Sequence, residues 1–117
     1  MAWSPLGSGF LAGTVSDIGE NDFRKNNPRF ARRNLAANRE RFAPVLSLAK
    51  ELEVTPAQLA LSWLLHQGED IVPIPGTRRS ERLDENARAA SIAMSSEIVS
   101  RINRLAPPGL AEGATLM

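Results

Sequence analysis

Apolar side chains recur at helical spacing through the middle of the chain. Leu35, Phe42, Val45, Leu46, Ala49 and Leu52 fall on one side, with Arg39, Glu40, Arg41, Lys50 and Glu51 between them. From Asn34 this pattern predicts an amphipathic helix of roughly five turns. Pro44 lies inside it. Proline lacks the amide donor and crowds the preceding turn, so a kink or the start of a second helix is expected there. Thr55-Pro56 is a second start signal, since threonine caps free amides and proline is tolerated at the first helical position. The run Ala57–Leu65 is apolar on most sides and predicts a broadly buried helix, with Gly68 as its C-cap.

Strand signals are few. Met1–Ser4 is a short apolar opening ended by Pro5, and Ile71–Pro75 is β-branched and bounded by Asp70 and Gly76. The second is expected to be a buried strand, its prolines fitting a barrel or sheet edge. Between the first strand and the long helix, Gly7–Asn27 is polar and glycine-containing, which predicts a long loop with one helical turn near Asp22–Lys25. Loops of that length are usually functional or mobile. Ser80 is expected to cap a helix over Glu81–Arg88, and Ser95 another over Ser96–Leu105, with Glu97 in its first turn. Ala106-Pro107-Pro108-Gly109 stops that helix, and the tail Leu110–Met117 is expected to be loose.

Alternating strands and helices indicate a parallel α/β architecture. Two parallel strands do not make a stable sheet on their own, so the chain reads as one end of a larger fold.

The 117 residues carry 14 basic and 13 acidic side chains, a net charge of +1, so bulk charge selects neither an acidic partner nor nucleic acid. No cysteine is present, which excludes disulfides, thiolate metal sites and a cysteine nucleophile. There is one histidine and no tyrosine, so neither a histidine cluster for metal nor a phenolic acid is available. No apolar run approaches the ~20 residues of a membrane span. The first residues lack a basic stretch and a long apolar stretch, so a signal peptide is not expected and the cytoplasm is the expected location.

Four features bear on chemistry. Gly7-Ser8-Gly9-Phe10-Leu11-Ala12 fits the pattern G-x-G-x-x-G/A. A dinucleotide fingerprint also needs a helix opening at the glycines and a second strand with an acid about 20 residues on, so a glycine-rich loop is the expectation. Arg24, Lys25, Arg29, Arg32, Arg33, Arg39 and Arg41 crowd residues 24 to 41. Without interleaved aromatics they are read as a solvated face rather than a nucleic-acid patch. His66, near a helix C-terminus, is expected to meet the last carbonyls. Gly76-Thr77-Arg78-Arg79-Ser80 brings backbone amides, hydroxyls and guanidinium groups to a helix N-terminus. That is either the chemistry of a phosphate site or an ordinary strand-to-helix loop.

Three segments together resemble the aldo/keto reductase family. Ala2-Trp3-Ser4-Pro5-Leu6-Gly7 resembles its A-Y-S-P-L-G segment. Thr55-Pro56-Ala57-Gln58-Leu59-Ala60-Leu61-Ser62-Trp63 resembles its T-P-A-Q-L-A-L-A-W helix. Ile74-Pro75-Gly76-Thr77 followed by Arg82 and Glu85-Asn86 resembles its I-P-G-T…R..EN segment. The order and spacing fit from Ala2 to Pro108, at the C-terminal part of the family. By resemblance the fold class is α/β, and residues 1–117 form the C-terminal part of a (β/α)8 TIM barrel with strands 7 and 8, incomplete in this chain. Such barrels usually need ~250 residues.

The resemblance implies NADP(H) as cofactor, no metal, and a small-molecule aldehyde or ketone as substrate of the complete enzyme. Trp3 takes the place of an aromatic that stacks on the nicotinamide. Ser4, Leu6 and Ser8 line the pyrophosphate and the adjoining ribose. Gly76 and Thr77 hold the adenosine phosphate with Arg78 and Arg82 as charge partners, and Glu85 and Asn86 contact the adenine. Many members have a lysine where Gly76 stands, a place that Arg78 or Arg79 is expected to fill. The family's catalytic tyrosine, lysine, aspartate and histidine lie on earlier strands and are not here, so no catalytic residue is assigned. The alternatives are a non-catalytic cofactor-binding or accessory chain and a truncated, non-functional product. Exposed strand edges are expected to drive self-association.

Overall fold

The computed structural model describes residues 1–114; Thr115, Leu116 and Met117 lie outside the described residues. A two-stranded parallel sheet of β1 (Ala2–Trp3) and β2 (Pro73–Ile74) pairs Ala2 with Pro73 and Trp3 with Ile74. Four α-helices follow the strands: α1 (Arg32–Glu51) and α2 (Pro56–Leu65) after β1, α3 (Ser80–Arg88) and α4 (Ser96–Leu105) after β2. This is a parallel α/β arrangement. None of the described helices is long and apolar enough to cross a membrane.

The helices pack around one core. Leu48 and Ala49 of α1, Leu59 of α2, Met94 from the segment before α4 and Ile102 of α4 are buried together, with Val45, Leu52, Trp63 and Ile98 packed around them. Polar contacts join the same helices at the surface. Trp63 Nε1 donates to Asn103 Oδ1 at 2.9 Å, and Arg101 donates to both oxygens of Glu51 at 2.8 Å. That fork of hydrogen bonds holds the Glu51 carboxyl below the usual range.

Local signals placed α2 and α4 well. Thr55 Oγ1 accepts from the Gln58 amide at 3.2 Å while Gln58 Oε1 accepts from the Thr55 amide at 3.1 Å, a reciprocal capping box. Ser95 Oγ accepts from the Ile98 amide at 3.2 Å. None of the α2 residues is exposed, as its apolar composition required.

Five expectations need correction. Of the kink and the second helix expected as alternatives at Pro44, the second helix does not occur; the 20-residue α1 continues through the proline. Pro44 and Glu40, whose carbonyl loses its donor, are both exposed, so water can solvate the freed group. Gly68 does not cap α2, which ends at Leu65 with His66 as its C-cap, and the glycine is not left-handed. Ser80 is the first residue of α3 rather than its cap; Thr77 Oγ1 instead accepts from the Arg79 amide at 3.2 Å, turning the chain one step earlier. Ile71–Pro75 is not buried: Val72 and Ile74 are 57% and 45% exposed, because no described element covers that face of β2.

The tail is the fifth. Leu110–Ala114 is fastened across α1. Asn38, 3% exposed, accepts from the Glu112 amide at 2.6 Å and donates to the Glu112 carbonyl at 3.1 Å. Arg41 reaches the Leu110 carbonyl at 2.8 Å and pairs with Glu112, and Arg29 donates to the Gly113 carbonyl at 3.1 Å. The buried Asn38 amide group is satisfied by the backbone of the tail, which it holds in place.

One buried polar atom has no partner among the described residues. Ser62, fully buried in α2, leaves its Oγ without a hydrogen bond. A desolvated hydroxyl costs about 1–3 kcal/mol, and alanine is also the better helix former. Ser62→Ala is expected to stabilise the chain by about 1 kcal/mol, read as a rise of several degrees in the thermal midpoint. An unchanged or lower midpoint would show that the hydroxyl is satisfied in solution.

Candidate cofactor-binding site

The site is built where the chain leaves each strand. After β1 the backbone turns through Ser4, Gly7, Ser8 and Gly9, all at positive φ. For Ser4 (φ 52°) and Ser8 (φ 56°) a left-handed backbone costs roughly 1–2 kcal/mol each. Strain of this kind persists only where its surroundings hold it. The turn closes through Gly7 and Gly9 amides donating to Ser4 and Leu6 carbonyls at 3.0 and 3.1 Å. A three-residue turn, Phe10–Ala12, follows in place of the longer helix that a dinucleotide fingerprint requires. The segment is a glycine-rich loop, as expected.

A clamp holds this loop from outside. Asp22 caps the short turn Phe23–Asn26 by accepting from the Arg24 amide at 2.9 Å. The Arg24 guanidinium then bonds both Asp22 oxygens and reaches across to the Ser8 carbonyl at 3.0 Å. The side-chain bond from Arg24, then its amide, hold the Asp22 carboxyl below the ordinary range. A depressed carboxylate contributes stability above its unfolded pKa and loses it as pH falls through the folded value. The clamp is therefore intact at neutral pH. Arg24 also lies 5.6 Å from the Phe30 ring centroid, over its face.

After β2 the chain passes Pro75 and Gly76 into α3. Among the described residues no side chain caps α3, which leaves its first amides open to a ligand. Gln58 fixes the helix from beneath, donating to the Glu85 carbonyl at 3.0 Å while holding its own capping box.

Between these two exits lies a cavity of about 920 Å³. Ser4, Leu6, Ser8, Gly76, Thr77, Arg82, Glu85 and Asn86 line it together. Arg82, Glu85 and Asn86 are half-buried on the face of α3 turned to it. A Cβ built on Gly76 would meet nothing within 4 Å, so the backbone there is open to close approach.

Trp3 does not line this cavity. Its ring, 59% exposed, lines a neighbouring hollow of about 450 Å³ that shares Ser4 and Ser8 with it. Arg78 is exposed and lines neither space. His66 also stays outside; its Nδ1 lies 2.7 Å from the Ser62 carbonyl, the helix-end contact expected of it.

Sequence reasoning missed part of the wall. Asn21, Asp22, Phe23 and Arg24 line the cavity from the polar loop. Asp-x-Arg at a turn, with the aspartate as cap, was the available signal. The basic run was read as solvated, yet Arg24, Arg29, Arg39 and Arg41 each donate to a backbone carbonyl far along the chain.

Comparison with known proteins identifies the family. The family model described as "Aldo/keto reductase family" matches residues 1–107. "Probable aldo-keto reductase 1" of Glycine max is 42% identical over 109 residues, 92% of this chain and 32% of its own length. "Aldo-keto reductase yakc [NADP(+)]" of Schizosaccharomyces pombe is 41% identical over 105 residues, 87% of this chain and 31% of its own. The chain thus spans about a third of the length of the curated relatives it matches. With its motifs in order and nearly its whole length matched, the chain belongs to the aldo/keto reductase family.

Proposed function

We propose that this chain supplies the NADP(H)-binding part of an aldo/keto reductase. In that enzyme the two strands would be the seventh and eighth of a (β/α)8 barrel, completed by strands outside these 117 residues. One observation carries the reading: residues far apart in sequence, Ser4, Leu6 and Ser8 after β1 and Gly76, Thr77, Arg82, Glu85 and Asn86 after β2, meet in one 920 Å³ cavity. Its volume lies at the upper end of the roughly 300–1,000 Å³ of ligand clefts, which suits an elongated ligand. The donor set fits as well, with amides at the start of α3 and a guanidinium for phosphate, and hydroxyls and a carboxylate for ribose and base.

NADPH would bring the hydride for reduction of an aldehyde or ketone. The chain's own residues would bind and orient. Ser4 and Ser8 line the stretch assigned to the pyrophosphate, Thr77 and Arg82 the adenosine phosphate, and Glu85 and Asn86 the adenine. Arg24 acts through Ser8, holding its carbonyl and hence its left-handed turn. Trp3, beside the cavity and exposed, offers its ring face to the nicotinamide. A purely cofactor-binding role for the chain is the second reading, favoured by the absence of any tyrosine.

Arg82 tests the assignment. Within a complete barrel carrying this segment, Arg82→Ala is expected to weaken NADPH by about 1.5–3 kcal/mol, the value of a charged hydrogen bond. NADH lacks the 2′-phosphate and should change little. Fluorescence titration with both cofactors measures the difference, and equal losses would place Arg82 on another group.

A further inference from the structure

A second, smaller cavity lies behind the loop that walls the large one. It holds about 190 Å³ and shares no lining residue with the 920 Å³ cavity. The two interleave along one stretch of backbone: Leu11, Gly13 and Val15 line the small cavity, while Ala12 and Thr14 line the large one. The remaining walls come from α1 and α2, including Phe42, Leu46 and Ala60. Phe10 and Phe42 meet edge to face there, with centroids 5.5 Å apart. An apolar cavity of about 150 Å³ is enough to take a benzene ring, and aromatic walls favour an aromatic guest.

Among the described residues, Arg39 is the one charged side chain in this lining. It also lines a polar hollow of about 660 Å³, which takes Ser16 into its wall where the small cavity takes Val15. Lys25 and Arg32 stand in that hollow with a single acid, Asp17, whose Oδ1 accepts from the Ile18 amide at 2.8 Å. Arg39 spends one donor on the Val15 carbonyl at 2.9 Å, and a guanidinium has five. Arg39 is thus common to the linings of an apolar cavity and a cationic hollow.

From this juxtaposition we infer that the chain has a second ligand site, for a small carboxylate bearing a single aromatic ring. The ring sits among Phe10, Phe42 and Leu46, and the carboxylate meets Arg39. The inference stands apart from the cofactor reading, because it uses different residues and a different ligand.

The test is a titration of the isotope-labelled protein followed by NMR, with hydrocinnamate, its alcohol and acetate as probes. Hydrocinnamate is expected to saturate and to shift the amides of Leu11 to Val15. It should bind about tenfold more tightly than the alcohol, since only the carboxylate forms a charge-assisted bond. Ala60→Leu fills the cavity and should abolish binding. Leu46→Trp, at a half-exposed position on the rim, should do the same without loading the core, and serves if the first variant does not fold. Arg39→Gln should bring acid and alcohol to equal affinity. Three results would each overturn the site: no saturable binding, acetate competing as well as hydrocinnamate, or unchanged affinity in both cavity-blocking variants.

Discussion

Leu59→Ala is expected to destabilise the helical layer by about 3 kcal/mol, within the range of large-to-small core changes. Leu59 is 1% exposed and sits in the one cluster that joins α1, α2 and α4, so the lost methyl groups leave a void that three helices line. Tight packing limits how far those helices can collapse into it. Leu83 of α3 is a matched control. It is 60% exposed, and its truncation should change stability by less than about 0.5 kcal/mol. Urea unfolding followed by far-ultraviolet circular dichroism separates the two. Similar small losses for both would mean that the helices do not share the core described here. The consequence reaches the site, because the residue before Leu59 is Gln58. Its amide nitrogen holds the Glu85 carbonyl under the cavity. A loosened α2 should therefore release α3 as well as lose core contacts.

The legible and illegible parts of this fold divide by range. Thr55-Pro56 and Ser95 were readable because a cap is decided within three residues, by a hydroxyl and an amide. The helix of apolar spacing from Asn34 was readable for the same reason, and His66 met the carbonyl one turn back. What failed depended on distant partners. The burial of Ile71–Pro75 needs neighbours on both faces, and β-branched composition does not show whether they are present. The tail looked loose because its anchors, Asn38 and Arg41, lie about 70 residues earlier on α1. The basic run looked solvated because alternating polar residues do not reveal which carbonyls a guanidinium will reach. In the candidate site, eight residues carried over by motif converge on one cavity, since Ser4, Leu6, Ser8, Gly76 and Thr77 closely follow the strands and Arg82, Glu85 and Asn86 share one face of α3. Trp3 points to a neighbouring hollow, and Arg78 precedes the helix that turns Arg82 inward. Asp22 and Arg24 were invisible as a pair, because the reach of Arg24 to Ser8 is a tertiary fact.

The 117-residue chain alone is expected to reduce no carbonyl compound, however well it binds cofactor. Hydride arrival at a carbonyl carbon puts negative charge on its oxygen, and a positioned acid must meet that charge; such an acid typically contributes 10²–10⁴-fold. The chain has no tyrosine to supply one. Its lysines are elsewhere: Lys25 donates to the Glu20 carbonyl at 2.6 Å, Lys50 is exposed near the end of α1, and neither lines the 920 Å³ cavity. Two carboxyls do line it, Asp22 and Glu85. Asp22 is held ionised by Arg24 and has no proton to give near neutral pH. The single histidine, His66, sits at the far end of α2 against the Ser62 carbonyl, outside the cavity. The assay mixes the purified chain with NADPH and a reactive aldehyde and follows loss of cofactor absorbance. A rate equal to the no-protein control is the expected result. Turnover above that control, lost in His66→Ala, would show that the imidazole reaches the substrate and that the division of labour between binding and proton transfer drawn here is wrong.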